Sequence, residues 1–293
     1  MKLKISQCTA APANRIYLID ALGGAGLQTA RSKHEKLVDE ILALMPEQSQ
    51  FISEKVFLLK CFTLEEVNKI FKLIEYDCNA ETSPLIFIDG HGDKEQGLAL
   101  PSGEYLGWDE LNLALESVTL AAAGHSTVVA SFCHSMTAVE RPLYEKPLPT
   151  PFYFGYADEV IAGVVEEECQ NIIEELLRSG AFIESGKTIQ LYSEYTHVFP
   201  LISALLMKFL RSQEVVGKFP GLSKNHLRKT LHEEIGRSFG TTKGLNKVLS
   251  QAFDLRVLMG PVLATAMHAT ERRTRLLDEL LVEIELDMNR PDF

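Results

Sequence analysis

The chain has 293 residues, five cysteines and a formal net charge of −11 at pH 7. A chain of this length buries enough surface to fold without disulfides, and its acidic balance excludes general affinity for nucleic acid, because phosphate binding depends on clustered cations. Without a Cys-x-x-Cys pair, a secretory signal or an apolar run of membrane-spanning length, the sequence predicts a cytoplasmic protein with reduced thiols, no membrane span, and no metal or cofactor.

Strand and helix patterns alternate along the first part of the chain. Residues 15–20 and 55–60 are short apolar runs typical of strands, and residues 29–45 between them carry apolar side chains at helical spacing. A second helix is predicted to begin at Thr63, because Thr63 and Glu66 have the spacing of a capping box. This alternation predicts an α/β fold with a mostly parallel sheet flanked by helices.

The next two predicted strands end in residues that can do chemistry. Residues 84–89 run into His91 and Gly92, and residues 126–132 run into Cys133. Both runs are apolar and rich in β-branched residues, as central strands of a parallel sheet are. Ligands bind at the carboxyl ends of such strands, so the thiol and the imidazole are predicted to meet there as a nucleophile and its base. The alternative is a turn histidine and a buried apolar cysteine.

The remaining predicted elements divide the chain into two domains. From about residue 198 onward only helix patterns occur. We therefore predict a sheet domain over residues 1–195 and a helical C-terminal subdomain over residues 196–293. The other elements of the sheet domain are a hairpin around Ser102 and Gly103, a helix over 108–117, a proline-rich loop over 140–151, a strand over 152–157, a helix over 163–178 and a strand over 188–192.

Two stretches of the sequence resemble those of caspase-like cysteine peptidases (clan CD). Leu-Ile-Phe-Ile-Asp-Gly-His-Gly-Asp at 85–93 is similar to the strand and turn that carry their histidine, and Val-Val-Ala-Ser-Phe-Cys-His-Ser at 128–135 is similar to the strand that ends in their nucleophile. The Cys-His-Ser sequence most resembles the branch that includes the CHAT and metacaspase-like groups. His91 precedes Cys133 by 42 residues (133 − 91), compared with roughly 50 in caspases. The resemblance covers about residues 14–195.

The resemblance implies a caspase-like fold and a cysteine endopeptidase that hydrolyses peptide bonds in protein or peptide substrates. Its catalytic dyad would be His91 and Cys133, and the backbone amides of Gly92 and Cys133 would hold the oxyanion. The residues expected to shape the substrate pocket are Ser131, Asp158 and Arg31.

The sequence departs from this family at two positions. Metacaspases usually carry an acidic residue two positions before the cysteine, which binds a basic substrate side chain, and this chain has Ser131 there. Met136 replaces the glycine expected after Cys-His-Ser. The resemblance therefore does not extend to a preference for basic substrates.

Two other functions stay open at this point. One is a catalytically inactive caspase-like scaffold that binds a regulatory protein partner through its helical region. The other is a nucleotide-binding α/β protein, because the first strand runs into a turn that contains Gly24 and Gly26. That turn lacks the third glycine of a dinucleotide-binding loop, and no Walker lysine follows it.

Overall fold

The computed structural model describes residues 8–9, 13–23, 29–44, 54–139, 148–179, 181–182, 188–193 and 278. The chain divides into two compact units, residues 4–197 with 267–269 and residues 1–3 with 198–266 and 270–293. All the strands and helices named below belong to the first unit. The helices predicted after residue 198 lie outside the described residues, as do Gly24, Gly26 and most of the proline-rich loop.

The described elements follow the alternation that the sequence predicts. The strands are β1 (Cys8–Thr9), β2 (Arg15–Asp20), β3 (Val56–Lys60), β4 (Pro84–Asp89), β5 (His91–Asp93), β6 (Gly97–Ala99), β7 (Tyr105–Leu106), β8 (Thr127–Ser131), β9 (Phe152–Gly155), β10 (Ala181–Phe182) and β11 (Gln190–Ser193). The helices are α1 (Thr29–Leu44), α2 (Leu64–Asp77), α3 (Trp108–Ala121) and α4 (Ala162–Ser179). A short 3₁₀ turn over Ser135–Ala138 follows β8.

The central sheet has six strands in the order β11-β9-β8-β4-β2-β3. The five strands from β3 to β9 are parallel, and β11 runs antiparallel to β9 at one edge. The predicted α/β class with a mostly parallel sheet flanked by helices is therefore confirmed. None of the described helices is long and apolar enough to cross a membrane.

Both faces of the sheet are covered, which explains why its central strands read as continuous apolar runs. All six residues of β4 are buried. On one face Leu18 and Phe87 form a core cluster with Leu37 of α1 and Ile172 of α4. On the other face the Tyr17 hydroxyl donates a hydrogen bond to Asp77 at the end of α2. Neighbouring residues of β2, Tyr17 and Leu18, thus face different helices.

Two local predictions are also confirmed. The Thr63 hydroxyl accepts a hydrogen bond from the Glu66 amide at 3.2 Å, and the Glu66 carboxylate accepts from the Thr63 amide, which completes the capping box of α2. The predicted hairpin joins β6 to β7 and turns at Gly103, whose φ of +87° is a conformation that glycine adopts without strain. His91 starts β5 and does not lie in β4, because the chain turns at Gly90 into a small antiparallel sheet of β5, β6 and β7.

Candidate active site

The order of the strands reverses between β2 and β4. From β2 the chain continues to the neighbouring edge strand β3, whereas from β4 it continues to β8 on the opposite side. This reversal is a topological switch point, and in open α/β sheets ligands bind outside the strand carboxyl ends at such a point. His91 lies two residues beyond the carboxyl end of β4, at this edge of the sheet.

The segments that contain His91 and Cys133 lie side by side. A Cβ atom placed on Gly92 would stand 1.8 Å from the carbonyl oxygen of Cys133 and 2.8 Å from a ring carbon of Phe132. Only a residue without a side chain allows two backbones to approach so closely. The fold therefore brings the turn after β4 against the turn after β8, as the parallel strands predict.

Trp108 contacts both of these segments. Its indole stacks on Phe132 with ring centroids 6.1 Å apart and planes 10° from parallel. Its ring N–H donates a hydrogen bond of 3.0 Å to the carbonyl of Lys94, the residue that follows β5. Trp108 is also buried at the start of α3. It therefore attaches both β5 and the Cys133 turn to this helix.

The Cys133 thiol is half-buried and interacts with the segment that follows β9. The backbone amide of Val160 donates a hydrogen bond to Sγ at 3.4 Å, and the thiol donates to the Val160 carbonyl at 3.7 Å. Among the described residues, the hydrogen-bond partner of the sulfur is therefore Val160 and not His91. The His91 side chain is exposed at the start of β5.

His134, the other histidine beside the thiol, is directed toward a different part of the chain. Its backbone has a left-handed φ of 57°. Its amide donates to the carbonyl of Asp158 at 3.2 Å, and its Nδ1 lies 3.2 Å from the carbonyl of Ala157. These contacts tie the Cys133 turn to the segment after β9. They involve the backbone amide of His134 and the Nδ1 atom of its ring.

Asp93 shapes the turn at the far end of β5. Its carboxylate accepts hydrogen bonds from the amides of Gln96 and Glu95 at 2.8 Å and 2.9 Å. These two bonds, with a smaller contribution from the charge of His134, lower the pKa of Asp93. The exposed carboxylate is therefore an anion at neutral pH and keeps the β5–β6 turn in place.

The three residues predicted to shape a substrate pocket occupy different environments. Ser131 is buried, and its hydroxyl lies 3.2 Å from the thiol of Cys169. Asp158 is exposed and adjoins the Cys133 turn through the bond from His134. Arg31 is exposed on α1, where its Nε lies 3.0 Å from Glu35. The structure thus places Asp158 in the segment bonded to the Cys133 turn, Ser131 buried at the end of β8, and Arg31 in a surface ion pair.

Three other cysteines lie in surroundings that raise their thiol pKa values. Burial raises the pKa of Cys61 to about 12 and that of Cys78 to about 11, with smaller contributions from nearby carboxylates. Burial also raises the pKa of Cys169. Thiols in such surroundings are protonated at neutral pH and react slowly. In the part of the chain that the structure describes, no cluster of three or more His, Cys, Asp or Glu side chains could hold a metal ion.

Sequence reasoning missed two contributors to this region, Val160 and Lys33. Val160 contacts the thiol only through its backbone, so no side-chain pattern signals it. Lys33 is buried and forms an ion pair with Asp89. A signal was present, because Lys33 precedes the buried residues Leu37 and Ile41 at helical spacing and so belongs to the apolar face of α1.

Comparison with known proteins does not assign the chain to a family. No model of a protein family matches the sequence. No curated protein matches it significantly. The caspase-like resemblance therefore remains a prediction from two short sequence stretches.

Proposed function

We propose that the chain is a cysteine endopeptidase in which Cys133 is the nucleophile and His91 is the general acid and base. The observation that carries this proposal is the contact between Gly92 and the Cys133 carbonyl, which sets the two segments at one edge of the sheet. The half-buried state of Cys133 supports it further, since Cys61 and Cys169 are fully buried.

In the proposed reaction, His91 takes the proton of the Cys133 thiol, and the thiolate attacks the carbonyl carbon of a peptide bond and forms a carbon–sulfur bond. The negative charge on the tetrahedral oxygen is held by the backbone amides of Gly92 and Cys133. His91 then donates a proton to the leaving amine, and the carbon–nitrogen bond breaks to leave an acyl-enzyme. His91 then takes a proton from water, whose oxygen bonds to the acyl carbon. The carbon–sulfur bond breaks to release the acid, and His91 returns the proton to the Cys133 sulfur.

The contact of the thiol with Val160 sets one requirement for this reaction. The sulfur must leave the amide and carbonyl of Val160 before it can reach a substrate carbonyl. A thiol is a weak donor and a weak acceptor, so both bonds are weak. A peptide that enters between the hairpin strand β5 and the segment after β9 can therefore replace them at small cost.

The proposal is tested by a peptide-library cleavage profile together with labelling by a thiol-directed peptide inhibitor. Wild-type protein is compared with Cys133→Ala and His91→Ala, both of which are expected to lose cleavage. Cys78→Ala is the matched control, because it removes a half-buried thiol remote from the edge of the sheet. His134→Asn tests the neighbouring imidazole, and Asn tolerates the left-handed backbone of that position.

The outcomes separate the competing functions. Stoichiometric labelling of Cys133 that depends on His91 supports the peptidase. Loss of labelling in His134→Asn, with retention in His91→Ala, would reassign the base. Absence of both cleavage and labelling in wild-type protein would favour the catalytically inactive scaffold, and tight nucleotide binding abolished by changes at Gly24 and Gly26 would favour the nucleotide-binding protein.

A further inference from the structure

A charged pair is buried directly beneath the candidate active site. Lys33 on α1 and Asp89 at the end of β4 are 4% and 1% exposed, and their side chains form an ion pair of 2.5 Å. The Thr29 hydroxyl donates to the second carboxylate oxygen of Asp89 at 2.9 Å. Burial alone would lower the pKa of Lys33, but the attraction of the Asp89 carboxylate helps raise it, so Lys33 keeps its positive charge at neutral pH.

The same buried network extends to the neighbouring strand. The positive charge of Lys33 also acts on the Cys169 side chain of α4, where it offsets part of the rise that burial causes in the pKa of that thiol. The Cys169 thiol lies 3.2 Å from the Ser131 hydroxyl at the end of β8. Lys33 pairs with the last residue of β4, and Cys169, on which its charge acts, contacts the last residue of β8.

The position of this network matches the position of the proposed dyad. Asp89 and Ser131 are partners in the register of the parallel β4–β8 pair. Each lies two residues before a member of the dyad, Asp89 before His91 and Ser131 before Cys133. The network holds both strand ends at the point where the chain leaves the sheet for the site.

A buried ion pair is a poor means of gaining stability, because well-packed apolar residues of similar volume usually stabilise a fold as well or better. Its directional contacts do fix geometry. We propose that Lys33 is a positioning residue, which keeps the His91 turn and the Cys133 turn aligned through Asp89 and Ser131. This inference rests on the proposed function, since it assigns the network to the alignment of that dyad.

The test is the double variant Lys33→Met with Asp89→Asn, which removes both charges and leaves neither one buried without a partner. Two rates are measured: the alkylation of Cys133 by iodoacetamide with and without His91→Ala, and the cleavage of a peptide substrate. We expect the His91-dependent part of the alkylation rate to fall about tenfold or more, and kcat to fall to a similar extent with little change in KM, because a misplacement of about 1 Å costs up to about a hundredfold.

Tyr17→Phe is the matched control. It also removes a hydrogen bond between the sheet and a helix, one that is partly buried and lies on the face opposite to the network. Its rates are expected to equal those of the wild type even if its stability is lower. Ser131→Ala serves as a second variant if the double variant does not fold, because it breaks only the link to Cys169. A threefold or greater loss of the His91-dependent rate is expected for it.

The positioning role would be overturned if a folded double variant showed wild-type rates. If the double variant does not fold, wild-type rates in Ser131→Ala would overturn it in the same way. In both cases the proposed function would stay intact. The positioning role would also be overturned if Tyr17→Phe lowered the alkylation and cleavage rates equally, since any loss of stability would then be enough to lower these rates. If His91→Ala leaves the alkylation of wild-type Cys133 unchanged, the dyad itself is refuted and the positioning role falls with it. The comparison of wild type with His91→Ala thus separates failure of the positioning role from failure of the proposed function.

Discussion

Replacing Gly92 by alanine tests the central geometric claim, that the segments containing His91 and Cys133 are in backbone contact. The added Cβ would lie 1.8 Å from the Cys133 carbonyl oxygen, whereas real Cβ atoms essentially never approach another atom within 3.0 Å. The two segments must therefore separate by about 1.2 Å, the difference between these distances. The atom that obstructs the methyl group belongs to the backbone and cannot turn away as a flexible side chain could.

Two effects of Gly92→Ala are expected. Forcing a methyl group into a packed contact costs about 1–3 kcal/mol in the free energy of unfolding. A displacement of about 1 Å between the nucleophile and its base lowers the rate of a positioned reaction by up to about a hundredfold. Urea denaturation measures the first effect. Peptide cleavage and the His91-dependent alkylation of Cys133 measure the second.

Gly163→Ala is the matched control for this substitution. A Cβ at Gly163 meets nothing within 4 Å, and the residue lies in the first turn of α4. Alanine is the better helix former by up to about 1 kcal/mol, so this variant is expected to be as stable as the wild type or more stable. If Gly92→Ala keeps wild-type stability and wild-type reactivity at Cys133, the contact between the two segments is not present and the proposed site is refuted.

Three other substitutions or conditions give independent checks. Iodoacetamide at neutral pH is expected to modify Cys133 well before Cys61 and Cys78, whose raised pKa values keep them protonated, and peptide mapping by mass spectrometry would contradict this if all three reacted at one rate. Because the pKa of Asp93 is lowered in the folded state, its contribution to stability is present above its unfolded pKa and is lost as the pH falls through the folded value. The difference in urea midpoint between wild type and Asp93→Ala should therefore shrink from about pH 6 to about pH 3, and a constant difference would show that the charge is irrelevant. Thr63→Ala removes the cap of α2 and should cost about 1 kcal/mol of unfolding free energy, whereas an unchanged urea midpoint would mean that the cap contributes nothing.

The order of elements in the sheet domain is largely determined by local sequence. The bounds predicted for β2 and β4 are those observed, and the end of α1 differs by one residue. A strand buried on both faces needs an unbroken apolar run, and the capping box at Thr63 involves residues three positions apart. Signals of this kind are complete within a few residues, so they can be recognised before the fold is known.

The sequence also indicates which strands end in reactive residues, because a parallel sheet places all its carboxyl ends at one edge. It does not indicate what each side chain binds there. The thiol of Cys133 contacts Val160, which is 27 residues away, and Lys33 pairs with Asp89, which is 56 residues away. These contacts depend on how α1, β4, β8 and the segment after β9 pack together, and no local pattern encodes such distances. Sequence alone thus determined the elements and the edge at which the candidate residues lie, while tertiary packing decided the partners of the thiol and the buried charge.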